Sequence, residues 1–186
     1  MQEANSGSHG VRWGIIIGIV YCLFLALRFS IGGGNAGIFG ILTFVGLVTV
    51  LILLFICGIQ FRKKNGGHLE MKEAFKTMFI AVLIFEFFFT VFSVVYLKYI
   101  DPGFFDRFRL STENLLNMAN QPQAESDKIL QGIDDWATQA RSLNVFDILK
   151  TYLYNVAMIG LFALIFSLII KRKQPPFQED GFNRGY

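Results

Sequence analysis

Four apolar runs divide this chain: about Trp13 to Ile31, Ile38 to Phe61, Phe75 to Tyr99 and Val145 to Ile170. Crossing the hydrocarbon core of a bilayer takes roughly 20 helical residues at about 1.5 Å each. All four runs meet that length, and all are too long for strands or ordinary buried helices. The pattern predicts an all-α protein, an integral membrane four-helix bundle formed as one domain over residues 1–186.

The segment between the third and fourth runs, 101–144, reads differently. Asp101-Pro102 has the form of a helix N-cap followed by proline at the first helical position. Phe104, Phe108, Leu115, Leu116 and Ala119 then recur at roughly helical spacing, until Pro122 breaks the run. Beyond it, Ile129, Ile133, Trp136, Ala140 and Leu143 repeat at three- and four-residue steps, with Asp127, Asp134, Asp135 and Arg141 largely on other faces. Two amphipathic helices are expected, packed on each other, on the membrane surface or on a partner. Acidic polar faces weaken the membrane-surface alternative, because surface-binding helices carry Lys and Arg there. A small helical cap over the bundle is favoured.

Charge gives the runs a direction. Arg62, Lys63, Lys64, Lys72 and Lys76 cluster between the second and third runs, and Lys171-Arg172-Lys173 opens the tail 171–186. Basic residues concentrate on the cytoplasmic side, which places both clusters and both termini inside. The glycine-rich connection Gly32 to Gly37 and the acidic 101–144 segment then face outward. The net charge of +3 is too small to point to nucleic acid, and topology accounts for it.

The first run begins weakly basic at Arg12, like a signal peptide. Arg28 follows its apolar core and no small-x-small cleavage site precedes the glycines, so an uncleaved span is expected. Cys22 and Cys57 lie within apolar runs and read as small buried residues, not as a disulfide or metal pair. His9 in a polar tail and His68 in a turn have no second ligand at metal spacing. No cofactor motif is present.

Polar groups inside the runs are few. Glu86 lies eleven residues past Phe75, roughly 16 Å along the helix and near mid-bilayer. A charge there costs at least about 3 kcal/mol on insertion scales, so the residue is expected protonated, paired, or facing a wet cavity. Thr90 and Ser93 follow on the same helix face. Thr49 and Cys22 are expected at similar depth to Glu86, and Asn155 nearer Thr90 and Ser93, with interhelical hydrogen bonds among them. Glu86 reads either as a proton or cation site or as a protonated packing carboxyl. The lack of a companion acid, histidine or intramembrane base favours packing.

Gly14 and Gly18 form a GxxxG with Cys22 one turn beyond, a spacing that lets helices approach closely, here within one chain in preference to a dimer. Trp13, Tyr96, Tyr99 and Tyr152 read as interfacial anchors.

The most specific local text is Gly66-Gly67, then Lys72-Glu73-Ala74-Phe75-Lys76 opening the third run, and Tyr99-Ile100-Asp101-Pro102 closing it. The glycines permit a tight turn, and Glu73 complements the positive end of the helix dipole. This arrangement resembles the family catalogued as domain of unknown function 4199, four-span membrane proteins found mainly in Bacteroidota. The resemblance covers most of the chain and leaves Met1 to Gly10 and Gln174 to Tyr186 as extensions. It implies an inner-membrane protein of a Gram-negative cell, and brings no activity, substrate or catalytic residue.

Three functional classes compete. A non-catalytic scaffold or accessory subunit would use the outer helices to contact a periplasmic or membrane partner. A small oligomeric transporter or channel would use Glu86, Thr90 and Ser93. An intramembrane enzyme needs a nucleophile with a base, or a metal set, and no such constellation occurs within a run. The scaffold reading is favoured, with membrane lipid as the surroundings.

Overall fold

A computed structural model of the chain describes residues 5–142 and 144–172. Among the described residues six α-helices follow one another: α1 (Ser6–Gly32), α2 (Ala36–Lys64), α3 (Met71–Val95), α4 (Phe104–Met118), α5 (Gln123–Ser142) and α6 (Val145–Ile170). A π-helical turn, Tyr96–Ile100, continues α3. Helices α1, α2, α3 with its π-turn, and α6 are long and apolar enough to cross a membrane. Their outward faces carry large apolar side chains such as Leu23, Ile41, Phe44 and Leu153. Such a surface is tolerable in lipid and would aggregate in water.

Three of the helices, α1, α2 and α3, overrun their apolar runs, whereas α6 matches its run from Val145 to Ile170. The Asn5 side chain accepts from the backbone N–H of Gly7 and Ser8, so α1 starts seven residues before Trp13. Asn35 and Asn144 cap α2 and α6 in the same way. An N-cap oxygen satisfies one of the orphan donors of a helix start, typically about 1 kcal/mol.

Close contact between α1 and α3 is built on glycine. A β-carbon at Gly10 would lie 2.5 Å from the Thr77 carbonyl oxygen, and one at Gly18 would lie 2.9 Å from the Phe88 ring. Gly14 sits between them against Ile84. The GxxxG thus packs within the chain, and Gly10 extends it by a turn. The core between the spans holds Ile17, Leu54, Met78, Val82, Phe85 and Ala163.

The two basic clusters meet at one end of the bundle. Gly66 and Gly67 take φ of 68° and 86° to turn the chain between α2 and α3. Leu69 and Arg172 then exchange backbone hydrogen bonds of 3.0 and 2.9 Å, stapling that turn to the end of α6. Arg62 adds a bond from Nη1 to the Ile170 carbonyl at 3.3 Å. His9 is not in a polar tail: it is buried within α1, 5.2 Å from the Phe61 ring. Its Nε2 faces the Cys57 carbonyl at 3.3 Å and its Nδ1 faces Lys64 Nζ at 3.4 Å. A carbonyl can only accept, so Nε2 carries the hydrogen and Nδ1 receives the lysine.

At the opposite end, α4 and α5 form the expected cap. Phe104, Phe105, Phe108, Ile133 and Ala137 pack with Leu25, Phe29, Tyr96 and Leu97 of the spans. Trp136 stands edge-on to Phe105 at 4.9 Å and borders Phe104, Phe108 and Phe39. Exposed ion pairs join the two helices, Arg109 to Asp134 at 3.1 Å and Arg141 to Asp106 at 3.2 Å. Asn120, at φ 51°, ends α4 in the left-handed conformation just before Pro122.

Several expectations fail here for identifiable reasons. Asp101 does not cap α4; Gly103 holds that position, and the Asp101 carboxylate pairs with Arg107. That pairing holds the exposed Arg107 guanidinium above its ordinary pKa. Leu115, Ala119 and Ile129 face outward, while Phe105 and Thr112 take buried places. Tyr96 is no surface anchor: its hydroxyl donates to Ser30 Oγ at 2.9 Å, because that oxygen's own hydrogen goes to the Ala26 carbonyl. Leu143 and the tail beyond Arg172 lie outside the described residues.

Candidate functional site

Among the described residues, two cavities with polar side chains on largely apolar walls lie in the bundle, and each takes part of the predicted stripe. The first, about 210 Å³, surrounds Glu86. Glu86 is 5% exposed, and its Oε2 has no hydrogen-bond partner. The Asn155 side chain of α6 lines the same cavity. Tyr21 of α1 and Phe85 and Phe89 of α3 complete the inner wall, and exposed Leu47, Tyr154 and Met158 form the outer one. That volume has room for water, which needs about 10–15 Å³ of probe space and two to four polar partners. Asn155 therefore belongs beside Glu86, not beside Thr90 and Ser93 as its position along α6 suggested.

Thr49 is not part of this site. It donates to the Val45 carbonyl of its own helix at 2.8 Å and makes no interhelical bond. A threonine in a membrane helix satisfies itself this way when no neighbour is in reach. Cys22 does reach across, from Sγ to the Phe88 carbonyl at 3.8 Å. Tyr152 supplies a stronger tie that the sequence did not suggest, from its hydroxyl to the Leu83 carbonyl at 3.1 Å.

The second cavity, about 140 Å³, lies beneath the cap and holds Thr90 and Ser93. Both hydroxyls are buried without a partner, so the expected bonds to Asn155 are not made. A residue not included in the predicted site, Arg28 of α1, lines the same space. It is 7% exposed, its Nε has no partner, and its guanidinium carbon lies 4.8 Å from the Phe29 ring centre and 4.7 Å from that of Phe39. Asp147, in the first turn of α6, is on the wall too. The usable signal for Arg28 was its place inside an apolar run, where an arginine is costly. Its reading as the residue ending a signal-like core hid it.

Among the described residues, no group of three or more His, Cys, Asp and Glu side chains is placed to hold a metal ion. Cys22 and Cys57 are free thiols.

Among the described residues, four helices long and apolar enough to cross a bilayer point to a multi-pass membrane protein. The chain belongs to the family described as Protein of unknown function (DUF4199), whose profile matches residues 12–172. No curated protein and no solved structure matches it.

Proposed function

We propose that this protein is a non-catalytic scaffold or accessory subunit of the inner membrane, whose α4–α5 cap contacts a protein partner on the periplasmic side. The observation that carries this reading is the outer face of α4. The cap already buries its aromatic side against the spans, yet Leu110 and Met118 remain 60% and 83% exposed on the opposite side. Ion pairs and the aromatic cluster hold that face in a fixed position, which lowers the ordering cost of an interface. Sidedness is supported by Arg62, Lys63, Lys64, Lys72, Lys76, Lys171 and Arg172 gathering at the end away from the cap.

The test is gentle detergent extraction of the tagged chain, followed by native mass measurement and identification of what co-purifies. A stoichiometric partner lost in Leu110→Glu/Met118→Glu, with the bundle still folded, is the expected result. A partner that survives the double change, or a dispersed monomer, overturns the reading.

A second reading is favoured by the Glu86 cavity: proton or cation binding within an oligomeric transporter or channel. Its support is a buried carboxyl with one oxygen unpartnered in a space with room for water. Four spans are few for a path within one chain, so this reading requires a homo-oligomer. Glu86→Gln then abolishes a proton-coupled flux in vesicles; retained flux sinks it.

A further inference from the structure

The Arg28 cavity is costly as built. An arginine more than nine-tenths buried, and two buried hydroxyls, present donors to one space with no acceptor to receive Nε or either oxygen. Leaving a buried donor unsatisfied costs about 1–3 kcal/mol, more for a charged group. Among the described residues, no carboxylate comes within ion-pair distance of Arg28. Asp147 shares the cavity without closing on it. The guanidinium lies over the neighbouring Phe29 and Phe39 rings in cation–π contact, which leaves its N–H groups to be satisfied by something else.

Depth narrows the chemistry. Arg28 lies in the last turns of α1, Ser93 near the end of α3 and Asp147 in the first turn of α6, all beneath the cap helix that supplies Trp136 and Gln139. Arg28 and Asp147 each lie about one turn from a span end, which puts the cavity toward the level where lipid head groups would lie. An acceptor with several oxygens, already at that level, is a lipid phosphate. Asp147 adds a requirement: a second negative group on the wall opposes a ligand with net negative charge and suits one carrying an ammonium as well.

We infer that this cavity binds the head group of an aminophospholipid, with the phosphodiester received by Arg28, Thr90 and Ser93 and the primary ammonium by Asp147. Arginine and hydroxyl donors match phosphate oxygens, and an ammonium has three hydrogens for a carboxylate. The π-helical turn that follows Ser93 and contributes Leu97 to the wall is of a kind frequent at functional sites.

The full chain is purified in detergent and incubated with an equimolar mixture of phosphatidylethanolamine, phosphatidylcholine and phosphatidylglycerol, and the lipids retained are read by native mass spectrometry. One phosphatidylethanolamine is expected to be retained at least tenfold over the other two. Arg28→Gln should lose that retention tenfold or more. Because a buried arginine also contributes to packing, Asp147→Asn provides the second reading. It leaves the phosphate donors in place and should move the preference toward phosphatidylglycerol. Retention without head-group preference, or an unchanged preference in Asp147→Asn, overturns the inference. Soluble phosphoethanolamine bound at the site in place of lipid overturns the assignment to a membrane source.

Discussion

Gly14 and Ile84 meet so closely that a β-carbon on the glycine would lie 2.7 Å from the Ile84 β-carbon and 2.9 Å from the Ala81 carbonyl oxygen. Neither neighbour can yield cheaply, since one is branched at that atom and the other is helix backbone. Gly14→Val should therefore destabilise the bundle by about 1–3 kcal/mol, the usual range for overpacking. Gly40→Ala is the control, because nothing lies within 4 Å of its added carbon. Reversible unfolding in mixed micelles measures both, and equal stabilities would contradict the packing.

Tyr152→Phe removes a hydroxyl that ties α6 to the α3 backbone, at the Leu83 carbonyl. Interhelical hydrogen bonds in membranes average about 0.6 kcal/mol and reach about 1.7. A loss in that range is expected from the same unfolding experiment. The ring stays in place, so a loss well beyond it would mean the tyrosine does more than bridge.

Trp136→Ala should release the cap. The indole borders four phenylalanine rings, three from α4 and one from α2, and truncating a well-packed tryptophan costs about 3–5 kcal/mol. The lower end is expected here, since the side chain is only half-buried. Limited proteolysis at the α4–α5 turn, residues 119–122, reads the effect. Cleavage should speed up while the spans stay intact. By contrast, Arg109→Ala breaks an exposed pair and should cost under about 1 kcal/mol.

Glu86→Met separates packing from chemistry. The carboxyl leaves one oxygen unpartnered, so an apolar replacement of similar length should leave stability within about 1 kcal/mol of the parent. Destabilisation of about 3 kcal/mol or more would show that the acid is structural.

Topology is checked by labelling. Ser126→Cys on α5 should react with a membrane-impermeant maleimide applied to spheroplasts, and Lys72→Cys only after permeabilisation. The reverse pattern would invert the orientation derived from the basic clusters.

The spans were legible because twenty apolar residues leave few alternatives, and Gly66-Gly67 and Pro122 punctuated the chain where the structure turns. The start of α1 was misplaced because the Asn5 cap draws Ser6 to Gly10 into the helix, while the Asn144 cap leaves α6 starting at Val145 as the run suggests. The polar site was half legible. Glu86 declared itself by type and depth, but which partner it meets depends on helix rotation, which depth does not encode. Rotation brings Asn155 to Glu86, leaves Thr49 bonded to its own helix, and turns Arg28 under the cap.

The backbone exchange between Leu69 and Arg172 joins a turn made early in synthesis to a residue made after the last span. Until α6 is inserted, the N–H and C=O of Leu69 lack that partner, while the turn's own bonds, such as Gly67 N–H to the Arg62 carbonyl at 3.0 Å, need nothing from α6. The turn therefore keeps a chronological record: stapled on a finished chain, unstapled on one whose final helix never entered the bilayer.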